Sequence, residues 1–208
     1  MDTVSFLYKG LGIGLALAAP VGPMSVLCIR RTLHDGLIVG LVSGLGIASA
    51  DAAYGAVAAF GISAVATALL DLEMALRLIG GLFLLALGLR YLFKAPAPAA
   101  KTLEASGSRF FGAYVSCFLL TLTNPTTILT FVAIFAGLGL IGEAGDYGAA
   151  IALVAGVFAG SAVWWLLLCG SVTLLRRRMS PAAVSWINRI SGAVIAAFGA
   201  GILGAFLI

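Results

Sequence analysis

The chain has 208 residues, 62% of them hydrophobic and only 10% charged, with a mean hydropathy of +1.16. A soluble domain carries roughly a quarter charged residues, so a water-facing surface cannot be built from this composition and a soluble enzyme is excluded. The formal charge is +4, from 12 Lys and Arg against 8 Asp and Glu. The positive-inside rule accounts for that excess without a nucleic-acid partner.

Six apolar segments follow in chain order, at about Phe6–Ile29, Leu37–Phe60, Ala75–Phe93, Phe110–Ala136, Gly148–Leu175 and Ile190–Ile208. Each can cross a hydrocarbon core about 30 Å thick at about 1.5 Å per residue. The pattern predicts an all-α membrane protein with six transmembrane helices embedded in a lipid bilayer. Gly61–Leu70 is apolar but too short to span, and is expected to extend helix two or lie at the interface. The first segment does not read as a cleavable signal: Asp2 is the first charge, Lys9 stands alone, and no small-residue cleavage site precedes a polar region.

All but two of the 12 basic residues fall in alternate loops or at their edges. Arg30 and Arg31 mark loop one; Arg90, Lys94, Lys101 and Arg109 mark loop three; Arg176, Arg177, Arg178 and Arg189 mark loop five. Asp71, Glu73, Glu143 and Asp146 mark the opposite loops. The rule makes the basic loops cytoplasmic and places both termini outside. Residues 95–108 (APAPAAKTLEASGS) read as a flexible cytoplasmic linker between a first repeat, residues 1–94, and a second, residues 109–208. Three helices per set force the second set to enter the membrane inverted. Short echoes agree: Gly10 precedes Pro23 by thirteen residues as Gly112 precedes Pro125, and Arg77 and Gly80 are matched by Arg189 and Gly192. The architecture expected is two inverted three-helix repeats, as in secondary transporters.

Helices one and four each carry a break. In Ala19-Pro20-Val21-Gly22-Pro23, two prolines remove backbone donors and clash with the preceding turn, and Gly22 adds freedom. Such a break survives in lipid only where protein or a watery cavity satisfies the freed carbonyls. The alternative is a kink in a packed helix. In Thr121-Leu122-Thr123-Asn124-Pro125-Thr126-Thr127, Asn before Pro is an N-cap before a first-turn residue, so a half-helix should start at Pro125 with amides that favour an anion. The breaks differ in depth: Pro125 lies about 24 Å from Arg109 along an ideal helix and Pro23 only about 10 Å from Arg30. One shared site therefore needs tilting, unwinding or a re-entrant section.

Asp51 is the one acid deep inside a span, at a depth similar to Asn124. Facing lipid it would be costly, so it should face the bundle interior. Gly36, Gly40, Gly44 and Ala48 make a close-packing face on the same helix, and Asp51 continues it. It is the candidate for proton or cation coupling or for pairing with an ammonium; a structural hydrogen-bonded Asp is the alternative. Tyr54, three residues on, could share its face. Trp164 and Trp165, after Gly156 and Gly160, are candidates for pocket lining or for bulky filler. Cys28, Cys117 and Cys169 lie in apolar runs without a CxxC pair and are expected to be buried, inert thiols. His34 has no partners at metal spacing, so neither a metal nor a cofactor is expected.

The residues APVGP with CIRRTLHDG, GLGIASAD, RLIGGLFLLALGLRYL and TNPTTILTF, in this order and spacing, resemble the LysE/RhtB family of amino-acid exporters. The resemblance is in register from about Gly10 to Ala136 and continues as an echo through helices five and six. It implies a bacterial inner-membrane exporter of amino acids or related metabolites, driven by an ion gradient of protons or sodium. It points to the Pro20–Pro23 break, Asp51 and the Asn124-Pro125 pair. Two departures stand at these positions: Val21 separates Pro20 from Gly22-Pro23 where many relatives have Pro-Gly-Pro, and Thr126 stands where many have Lys.

The function expected is alternating-access antiport, with the substrate carboxylate received at the half-helix amides and its ammonium or a coupling proton at Asp51. The candidate substrate-binding set is Pro20, Gly22, Pro23, Asp51, Tyr54, Thr123, Asn124, Pro125, Thr126 and Trp164. Two other classes fit less well. A thiol-redox conductor would use Cys28 and Cys117, but Cys28 follows its proline by five residues while Cys117 precedes Pro125 by eight. A metal-ion exporter lacks a His or Cys cluster, whereas a passive channel stays open, since a sequence does not show gating. Abundant small residues permit a homodimer and equally serve the packing of one bundle.

Overall fold

The computed structural model describes residues 3–20, 22–60, 73–93, 107–124, 127, 131, 147–176 and 179–205. Within them every regular element is a helix. The elements are α1 (Thr3–Ala18), α2 (Pro23–Asp35), α3 (Leu37–Ala59), α4 (Glu73–Phe93), α5 (Gly107–Leu122), α6 (Tyr147–Arg176) and α7 (Pro181–Gly204). The linker expected at 95–108 lies largely outside the described residues. So do Gly61–Leu70, Pro125, Thr126 and most of the half-helix expected after them.

Among the described residues, α3, α6 and α7 are long and apolar enough to cross a membrane, and α1 with α2 is apolar enough to make, across an 80° bend, either a fourth, broken span or a re-entrant pair. Leu78–Phe93 and Gly107–Leu122 are shorter apolar helices. The 80° bend falls where the prolines foretold it. Pro20 and Pro23 cannot donate to the preceding turn, and α2 restarts with Gly22 as an extended N-cap and Pro23 in its first turn. Helix α2 then runs on to Asp35, so Arg30, Arg31 and His34 belong to a helix and not to a loop. It ends at Gly36, whose φ of 99° lets the chain reverse directly into α3. At the other end of the chain, Ser180 accepts a hydrogen bond from the Ala183 amide and Pro181 occupies the first turn, so α7 begins well before Ile190 and includes Arg189.

Helix α1 packs along α6, α3 along both α5 and α6, and α4 along α7, while α2 touches α3, α6 and α7. Lipid offers little hydrophobic drive between helices, so close backbone approach supplies the attraction. The glycines show where. A side chain on Gly10 would run into the Leu153 carbonyl oxygen, and one on Gly156 into the Leu7 carbonyl oxygen. Gly44 lies against Trp165 and Gly40 against Thr32 and Cys169, the close-packing face read from the spacing in α3. Between α4 and α7 the same job falls to Gly88, Gly192 and Gly199.

Candidate functional site

A cavity of about 410 Å³ opens at the break between α1 and α2. That is the size of a small-metabolite pocket. Pro20, Gly22, Pro23, Asp51, Thr123 and Asn124 all line it, joined by Ser25, Thr121, Thr127 and Trp165. The 80° bend between α1 and α2 brings the start of α2 to the same cavity as the end of α5.

The N-terminus of α2 forms one polar edge. Gly22 offers no side-chain cap, and the first helical bond of this turn runs from the Val26 amide to the Gly22 carbonyl. Pro23 has no N–H, so the amides of Met24 and Ser25 are those without an acceptor inside the helix. With the helix dipole they make this end electropositive. The Ser25 hydroxyl is turned back to the Pro20 carbonyl at 3.3 Å, which satisfies an acceptor freed by the break.

The second polar edge is Asp51, only 4% exposed. Ser161 of α6 donates to Asp51 Oδ2 at 2.7 Å, and Trp165 Nε1 donates to Ser161 Oγ at 3.1 Å. This relay fixes the carboxylate from a helix 110 residues away in sequence. The end of α5 forms the third edge. Thr121 and Thr123 hydroxyls donate to the Cys117 and Leu120 carbonyls, leaving oxygen lone pairs as acceptors.

Tyr54 and Trp164 do not line the cavity. The Tyr54 hydroxyl donates to the Leu122 carbonyl and its ring lies 5.5 Å from that of Phe131. It therefore anchors the last turn of α5, whose carbonyls have no helical partner. Trp164 is one residue, about 100° of helix rotation, from Trp165, and packs against the core instead. Arg31 is the residue that sequence reasoning misplaced. It is 9% exposed and donates from Nη1 to Ser43 Oγ at 2.8 Å, to the Ala113 carbonyl at 2.9 Å and to Cys117 Sγ at 3.3 Å. Its Nη2 donates to Ser116 Oγ at 2.8 Å. One turn further out, Asp35 pairs with Arg109 at the start of α5 and with His34. Helix α2 is thus tied to α5 twice, beyond fully buried Leu27, Cys28 and Cys117.

A bent pair of apolar helices beside a largely apolar cavity, with a buried carboxylate in its wall, is the arrangement expected of a membrane transport protein. The chain belongs to the LysE type translocator family, whose profile matches residues 15–204. It is similar to "Uncharacterized membrane protein YahN" of Escherichia coli strain K12, with 26% identity over 200 residues that cover 95% of this chain and 89% of the relative. It is also similar to "Putative amino acid efflux protein YcgF" of Bacillus subtilis strain 168, at 26% identity over 188 residues, 90% of each chain. No solved structure gives a significant match.

Proposed function

We propose that this translocator is a secondary exporter of amino acids or related small metabolites across the bacterial inner membrane, working by proton-coupled antiport. The observation that carries the reading is that one cavity presents both an electropositive helix start and a carboxylate. These are the two poles that a zwitterionic amino acid requires. The substrate carboxylate docks on the Met24 and Ser25 amides, and its ammonium on Asp51. Deprotonated Asp51 binds the ammonium and protonated Asp51 releases it, so one group serves substrate and proton in turn. The amino-acid efflux name of the Bacillus relative agrees with this reading.

The helix pairing supports an inverted repeat. Exchanging the set α1/α2, α3, α4 for the set α5, α6, α7 turns the α1–α6 contact into α5–α3 and leaves α3–α6 and α4–α7 unchanged, and all four contacts occur. The Asp35–Arg109 pair keeps the ends of loops one and three on one side, in agreement with a cytoplasmic assignment for both.

The test is transport in proteoliposomes loaded with a labelled amino-acid panel, with and without a pH gradient. Gradient-driven movement of one amino-acid class is expected, and Asp51→Asn should abolish the coupling. Proton-driven export retained by that variant defeats the mechanism; movement that follows a sodium gradient instead changes the coupling ion.

A further inference from the structure

We infer that the transported amino acid carries a neutral, apolar side chain, and that α4 and α7 form the surface that selects it. The inference rests on the amino-acid reading of the cavity and says which member of that class fits. The polar groups of the cavity come from a few places: the start of α2, Asp51 on α3, and the end of α5 with Thr127. Among the described residues, α4 and α7 contribute Gly80, Leu84, Phe198 and Ile202. Their surface meets the polar edge where α5 ends, since a side-chain carbon on Gly80 would stand 2.9 Å from Thr123 Oγ1.

Charge counting then decides. Among the described residues that line the cavity, Asp51 is the one ionisable group. A bound zwitterion already engages it through the ammonium, and engages the α2 amides through the carboxylate. A third charge, on a lysine, arginine or glutamate side chain, would meet the hydrocarbon of Leu84, Phe198 and Ile202 with no counter-ion among them. An uncompensated charge in such a place is disfavoured strongly, whereas a branched or thioether chain gains by leaving water. The wall is also closely packed. Gly81 sits 3.1 Å, measured from an added side-chain carbon, from Ile202 and Leu203, and Gly199 lies against the backbone at Leu85.

The experiment measures stabilisation of the purified full chain against thermal unfolding by leucine, methionine, lysine, arginine and glutamate, each titrated over a wide concentration range. Half-maximal stabilisation by leucine or methionine should come on the order of 100-fold below that for the charged members, a discrimination of the size pockets of this kind achieve. Ile202→Glu supplies the counter-charge and should narrow the gap between lysine and leucine by about tenfold. Lysine or glutamate acting within a few-fold of leucine overturns the selectivity while leaving the amino-acid reading in place. An unchanged lysine-to-leucine ratio in Ile202→Glu overturns the role of the wall. Silence across the whole panel, in protein with a cooperative melt, overturns the amino-acid reading and this inference together.

Discussion

Arg31 allows the worth of a buried charge to be separated from the worth of its volume. Its four hydrogen bonds go to Ser43, Ala113, Cys117 and Ser116. Nη1 has two hydrogens to share among three acceptors, so at about 1.5 kcal/mol for each fully made bond the group gains at most roughly 4.5 kcal/mol. A buried ion replaced by a well-packed apolar residue of similar volume is often close to neutral, because the cost of taking the charge out of water goes with it. The acceptors also have other uses: Ser43 Oγ donates to the Val39 carbonyl at 2.8 Å and Ser116 Oγ to the Ala113 carbonyl at 3.2 Å. Losing Arg31 therefore leaves no hydroxyl proton stranded. Arg31→Met, which keeps much of the volume, should change stability by about 1 kcal/mol or less. Arg31→Ala opens a cavity and should cost about 2–5 kcal/mol, the range for large-to-small core changes. Cys28, Cys117 and Cys169 are each 0% exposed, so labelling by a fluorogenic maleimide reports unfolding. The Ala variant should label roughly 30-fold faster than the Met variant where opening is at equilibrium. Equal labelling of the two, fast or slow, refutes the division into charge and volume.

Ser161→Ala removes the donor to Asp51 and the acceptor of the Trp165 indole, and should lower stability by about 2–4 kcal/mol; an unchanged thermal melt would show the relay to be incidental. Gly156→Val places a branched side chain against the α1 backbone, where no rotamer relieves it, and should cost at least about 1–3 kcal/mol, read as a lower melting temperature. Tyr54→Phe frees the Leu122 carbonyl and should cost about 1 kcal/mol, with faster amide exchange confined to the last turn of α5.

The break in the first span was legible because proline acts locally: Pro20 and Pro23 forbid hydrogen bonds whatever surrounds them. The direction of Asp51 was legible too, since Gly40, Gly44 and Ala48 mark the packed face of α3 and the helical period carries it to residue 51. Its partner was not. Ser161 lies on α6, which is apolar on all sides, so no stripe says which face turns inward, and Trp164 could not be told from Trp165. Arg31 was hidden for a different reason. A basic residue near the end of a span satisfies the charge rule whether it faces water or core, and only the acceptors on α3 and α5 distinguish the two. The early start of α7 was written in Ser180-Pro181, but hydropathy windows respond to the apolar run and pass over a cap.

The turn between α1 and α2 makes α2 a lever. Its 13 residues reach about 20 Å from Pro23 to Asp35. With the pivot at Ala19–Gly22, a rotation of about 10° carries the far end by about 3.5 Å while the cavity end scarcely shifts. Arg31, eight residues from Pro23, would move by about 2 Å in the same rotation, enough to part the 2.8 Å bonds that it makes to Ser43 and Ser116. Any such rotation would be largest at the opposite tip, where the ion pair with Arg109 sits.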